Sequence, residues 1–200
     1  MRSSIGATVA MVALAVLVVR PAAAHRADPP PAAGPVTGVS IAPVRLTDQD
    51  GQPFDLASLR GAPVLVTFFY AACVQSCPLL TAQLVALRSE MSPAERSAVR
   101  FLSITVDPVR DRPPVLKDYA RRAGLDPGGW TLLTGEPSAI VAVGKQFQLL
   151  FRREAGGSID HTAAVYLLDR DHAVRGVYPA DALARSAVLH DLAYLLGTHR

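Results

Sequence analysis

Two hydrophobic rhythms alternate along this chain from about residue 44 onward. Short apolar runs, rich in β-branched and aromatic residues, predict strands; longer stretches with apolar residues every three or four positions predict amphipathic helices. "VRLTDQDGQPFDL" reads as a hairpin turning at Asp50-Gly51. "VLVTFFY", residues 64–70, is a continuous apolar run between Pro63 and Ala71, the pattern of a strand buried on both faces. Leu79, Leu80, Leu84, Leu87 and Met91 then recur at helical spacing, in a helix that opens at Cys77-Pro78. "SPAE", residues 92–95, has the form of a capping box. Residues 99–106, "VRFLSITV", form a second buried strand. "DRPPVLKDYARRAG" is a helix with prolines at its start and Gly124 after its end. "WTLLT" is a short strand, and "EPSAIVAVGKQFQLLF" a helix entered through Pro137. Residues 163–168 and 173–178 flank a turn at 169–172 and predict a hairpin, and "DALARSAVLHDLAYLL" is a closing helix. Strands alternate with helices and a hairpin follows. The expected fold is therefore α/β, a mixed central sheet with helices on both faces and an N-terminal hairpin.

The first 43 residues follow neither rhythm. Arg2, the apolar stretch 5–19 and "AAA" at 22–24 have the order of an export signal. Fifteen helical residues reach about 22 Å, short of the ~30 Å hydrocarbon core, which favours a cleaved signal over an uncleaved membrane anchor. Either reading puts the rest of the chain outside the cytoplasm, in the periplasm or on the outer face of the cytoplasmic membrane. Residues 25–43, rich in Pro, Ala and Gly, read as a tether, with one domain over 44–200.

Composition narrows the function classes. Half of the residues are hydrophobic and 18% are charged, enough apolar content for a packed core. The net charge is +3, and Arg2 and Arg20 of the leader supply two of those charges. So weak a positive balance gives no electrostatic reason to expect nucleic acid.

The chemistry concentrates in "FFYAACVQSCPLL", which holds both cysteines, Cys73 and Cys77. They follow the end of a buried strand, where ligands gather in sheets of this class, and Cys77 sits at a helix start, which favours thiolate. A staple closing so small a loop would remove little entropy from the unfolded chain. On a helix, a four-residue step separates α-carbons by about 6.2 Å, near the upper end of the roughly 4.4–6.8 Å that a disulfide accepts. A reactive dithiol and a metal site both stay open. Soft Cu(I) is content with two or three ligands, whereas structural Zn takes four. Histidine is the expected source of a third ligand. His25, His172, His190 and His199 sit in the tether, a hairpin turn, a helix and the chain end, and are read as solvated surface residues. His161 follows "AGGSID" and precedes a buried strand, so its loop is placed to lean over a neighbouring strand end; the alternative is a loop histidine bonded to backbone.

These segments together resemble the Sco/SenC family of copper chaperones for cytochrome oxidase. "FFYAACVQSCPLL" is similar to the family's strand followed by C-x-x-x-C-P. "SITVDPVRDRPPVLKDYA" resembles its aspartate–proline and arginine–aspartate segment, "GWTLLTG" its Trp-led strand, and "IDHTAAVYLLDRD" the segment with its metal-binding histidine. The resemblance implies a thioredoxin-like fold and copper, as Cu(I) or Cu(II), held by Cys73, Cys77 and His161. It implies delivery of copper to the cytochrome c oxidase subunit carrying the dinuclear copper site. The alternative role is a dedicated thiol–disulfide oxidoreductase that keeps that site's cysteines reduced, with Cys73 and Cys77 as the catalytic pair. Further partners expected on this reading are periplasmic copper chaperones and thiol reductases, with a membrane tether as one arrangement of the leader. Asp107, Pro108, Arg110 and Asp111 match the second motif and are read as a shaping segment rather than ligands. One departure stands out: family members usually carry proline directly after the first cysteine, and this chain has Val74, then Gln75 and Ser76, which frees φ at position 74. A peroxidase reading is disfavoured, because Ala71 and Ala72 stand where an activating Arg or Thr is wanted.

Overall fold

A computed structural model describes residues 40–198. The export signal, nearly all of the tether, His25 and His199 lie outside the described residues. The predicted N-terminal hairpin is β1 (Arg45–Asp48) and β2 (Pro53–Asp55), paired antiparallel around the Asp50-Gly51 turn. β3 (Val64–Phe69) is buried along its whole length. It leads into α1 (Ser76–Glu90) and the short α2 (Pro93–Ala98). Then come β4 (Arg100–Thr105), α3 (Pro113–Arg122), β5 (Trp130–Thr134) and α4 (Pro137–Gln146). β6 (Phe151–Arg153), β7 (Ile159–His161), β8 (Ala164–Leu168), β9 (Val174–Pro179) and α5 (Arg185–Leu196) complete the order.

Seven strands form one mixed sheet in the order β2-β1-β5-β4-β3-β8-β9. β3, β4 and β5 run parallel, while β8 and β1 pair antiparallel on either side of them. Side chains alternate across β3. Leu65 and Phe69 face the core packed by α1, α3 and α5, with Leu84, Leu116 and Leu192. Val64, Val66 and Phe68 face the core under α4, with Ile140 and Val143. Burial of both faces explains why β3 reads as an unbroken apolar run.

Two expectations are corrected. Leu79 is not in the buried stripe of α1; it is 61% exposed, and Leu80, Leu84 and Leu87 carry the packing. The helix over "EPSAIVAVGKQFQLLF" ends at Gln146. Gln148 takes φ 53°, its N–H donates to Lys145 O, and the Leu149 N–H donates to Gly144 O. That is a Schellman ending built on glutamine instead of the usual glycine, so no sequence signal announced it. The chain beyond it forms a second, two-stranded sheet, β6 with β7, which the sequence pattern did not predict.

The capping box is present in full. The Glu95 N–H donates to Ser92 Oγ at 3.3 Å and the Ser92 N–H to Glu95 Oε2 at 2.7 Å. α2 buries no residue of its own, so this cap is a main local support. Ser92→Ala is expected to cost about 1 kcal/mol, read as a fall in Tm of roughly 2–4 °C. An unchanged melting curve would show that α2 is held from elsewhere.

Candidate metal centre

β3 delivers the cysteines. The chain turns after Tyr70, whose carbonyl accepts the Cys73 N–H, and α1 starts at Ser76. Gln75 offers no side-chain cap to that helix. The Cys73 sulfur takes the position instead, accepting the Cys77 N–H at 3.4 Å with Ser76 Oγ at 3.6 Å. Both cysteines are free thiols and both are buried, Cys73 to 8% exposure and Cys77 to 3%.

Their acidities split. Burial pushes the Cys73 thiol up, but donors from the Cys77 thiol, the Cys77 and Gln75 backbone and the Ser76 hydroxyl outweigh it and bring it down to about 7. Burial and the neighbouring Cys73 sulfur push Cys77 up to about 12. One thiolate is held at Cys73 and solvated by its partner. Alkylation of Cys73 should therefore rise with pH to half-maximum near pH 7. Cys77→Ala should move that midpoint upward, and a midpoint left near 7 would show that the Cys77 thiol does not stabilise the charge.

His161 is the last residue of β7, on a strand rather than in a loop, directly opposite Phe151 of β6. Its Nδ1 lies 3.1 Å from the Thr162 carbonyl. A carbonyl only accepts, so Nδ1 carries the proton and Nε2 keeps its lone pair. That Nε2 lies 3.9 Å from Cys77 Sγ. Burial lowers the His161 pKa and keeps the imidazole neutral, the form that ligates. For metal bonds of about 2.3 Å to sulfur and 2.0 Å to nitrogen, opened by about 110–130°, the donor atoms stand roughly 3.5–3.9 Å apart. The imidazole and the Cys77 sulfur meet that separation. Among the described residues, no three His, Cys, Asp or Glu side chains already converge enough to enclose an ion.

The other described histidines go elsewhere. His172 is not a surface residue: it is 2% exposed and sits at φ 63° in the β8–β9 turn, where its carbonyl accepts the Ile41 N–H. His190 lies half-buried on α5 with Nδ1 3.2 Å from Asp191.

The shaping segment lies between β4 and α3. Asp111 Oδ2 accepts the Ala71 N–H at 2.9 Å and the Thr105 hydroxyl at 2.5 Å. Asp107 is 1% exposed and pairs with Arg153 at 2.6 Å and Arg110 at 3.4 Å. Sequence reasoning missed Arg153 and Tyr70. The Tyr70 ring stands edge-on to His161 with centroids 6.3 Å apart. Its pKa is raised, by burial first and then by the cysteines, despite a bond from the Ile159 backbone. An aromatic residue closing a buried strand beside two cysteines was the available signal. A cleft of about 420 Å³ opens beside Cys73, lined by Val74, Pro78, Thr81, Tyr119 and Arg122.

Residues 37–197 match the family described as SCO1/SenC. The SCO1 protein homolog of Bacillus subtilis (strain 168) is 31% identical over 134 residues, covering 66% of this chain and 69% of that protein. The structure of Bradyrhizobium japonicum ScoI with copper bound superposes with a TM-score of 0.68 at 29% identity, over 78% of this chain and 99% of that one. BsSco, described through a disulfide switch as a member of the Sco family of cytochrome c oxidase assembly proteins, gives 0.72 at 28% identity, over 82% and 96%.

Proposed function

Because the chain belongs to the SCO1/SenC family and has its thioredoxin-like fold, we propose that it is a copper-binding protein of cytochrome c oxidase assembly. The ligands are Cys73 Sγ, Cys77 Sγ and His161 Nε2, and the recipient is the oxidase subunit with the dinuclear copper site. One observation carries this reading: the Nε2 of His161, its other nitrogen committed to Thr162, faces the Cys77 sulfur at 3.9 Å. Two soft sulfurs and one neutral imidazole suit copper and leave the shell short of four ligands. A partner's donors can complete such a shell and draw the metal away. Val74, 87% exposed, and Leu79 flank the cysteines and offer that partner apolar contact. The export-like order of residues 1–24 supports work outside the cytoplasm, and the Pro- and Ala-rich composition of residues 25–43 supports a tether to a domain of 44–200. No helix among the described residues is long and apolar enough to cross a membrane.

A second reading is favoured by the split acidities, about 7 against about 12. Cys73 thiolate would attack a disulfide in the recipient, forming a mixed disulfide and releasing one recipient thiolate. Cys77 would then lose its proton and attack Cys73 Sγ, leaving a Cys73–Cys77 disulfide and a fully reduced recipient. Mixing the reduced, copper-loaded chain with the apo recipient domain separates the two. Metal transfer supports the first reading. A chain that takes up no copper, yet reduces the recipient's disulfide, would overturn it in favour of the second.

A further inference from the structure

The proposed ligands sit on two arms that share no strand pairing. Cys73 and Cys77 follow β3 in the main sheet, and His161 belongs to the separate β6–β7 sheet. A two-stranded hairpin is marginal on its own, so its position must be set by what it touches. Ile159 anchors one strand in the core under α4, and the Thr162 N–H donates to Leu150 O. The charged contacts go to the 107–111 segment. Arg153, on β6 opposite Ile159, forks onto Asp107, Nη2 to Oδ1 at 2.6 Å and Nη1 to Oδ2 at 3.5 Å. Arg110 bonds the same carboxylate and also donates to the hairpin-tip carbonyl of Gly157 at 3.2 Å.

The same segment holds the other arm. Asp111 accepts the Ala71 N–H, two residues before Cys73. The Thr105 hydroxyl binds the two halves together, donating to Asp111 and accepting the Asp107 N–H at 2.9 Å. One short stretch therefore grips the thiol loop through Asp111 and the imidazole hairpin through Asp107.

We propose that Arg153 is a positioning residue for His161: its ion pair with buried Asp107 latches the β6–β7 hairpin to the segment that holds the cysteine loop, and so sets the reach of the imidazole to the thiols. This rests on the copper reading for its consequence, though the latch itself is independent of metal. Nearly half of the Arg153 side chain faces solvent, and Arg110 still holds the Asp107 carboxylate when Arg153 is removed.

The test uses the full chain, reduced, as wild type, Arg153→Ala and Arg153→Lys. Cu(I) affinity is read by competition, Cys73 alkylation on the metal-free chain, and hydrogen exchange at amides 151–161. Arg153→Ala should weaken copper about 10- to 100-fold, the range for groups that orient a metal ligand. Hairpin exchange should rise, Cys73 alkylation should stay at the wild-type rate, and Arg153→Lys should recover most of the affinity. Hairpin exchange equal to wild type in Arg153→Ala would overturn the latch, as would alkylation changing in step with affinity, which marks general loosening. If the wild type takes up no copper, the copper reading fails, and the latch is still decided by exchange in the hairpin.

Discussion

Cys77→Ser should cost the reduced protein roughly 10²- to 10³-fold in Cu(I) affinity. Binding free energies of about 10–16 kcal/mol at four-ligand structural sites amount to roughly 2.5–4 kcal/mol per ligand. At 1.4 kcal/mol per tenfold, that is about 10²–10³. The serine hydroxyl is a hard, protonated oxygen and does not replace a thiolate toward a soft ion. His161→Ala should fall at the lower end, because two sulfurs remain and two-coordinate Cu(I) is acceptable. Competition against a chromophoric Cu(I) chelator reads both variants. Tight binding left unchanged in either one would remove that residue from the ligand set.

Asp111→Ala should lower the unfolding free energy by about 2–6 kcal/mol at neutral pH. The carboxylate is buried and satisfies two donors, the Ala71 N–H and the Thr105 hydroxyl, and stranding them costs about 1–3 kcal/mol apiece. Burial raises the Asp111 pKa, against the pull of Thr105 and Ala71. A raised acid contributes most below its ordinary range, and that contribution is lost as pH rises through the folded value. The penalty of the substitution should therefore be larger near about pH 4 than near neutrality, since free aspartate titrates at ~3.9. Denaturant unfolding at the two pH values checks both size and sign. A penalty that grew with pH would mean that the ionised carboxylate, not the protonated one, is the favoured form.

The sequence made the scaffold legible wherever burial left a periodic trace. β3, β4 and β8 are apolar because both of their faces are covered, and α2 announced its own cap. The hairpin that carries His161 left no such trace. "FRR" and "IDH" are three residues each, with Phe151 and Ile159 as the apolar members, and neither shows alternation over a usable length. Residue types alone could nominate His161 but could not place it on a strand. His172 misled for a different cause: a turn histidine reads as solvated, yet this one is 2% exposed at a positive φ, in a turn whose carbonyl is taken by the Ile41 N–H. The ion pair of Arg153 with Asp107 spans 46 positions, and nothing local marks either residue as the other's partner.

Cys77 and His161 are 84 positions apart in the chain. At about 5–20 residues per second of synthesis, the thiols emerge roughly 4–17 s before the imidazole exists. β8, which pairs with β3, follows His161 immediately, so the main sheet and the pairing of thiols with imidazole wait for the same late segment. A nascent chain thus passes through a window in which both sulfurs are present without the imidazole or the strand that pairs with β3. Oxidants and stray metal meet it first as a bare dithiol, and truncation anywhere before residue 161 would leave it permanently in that state.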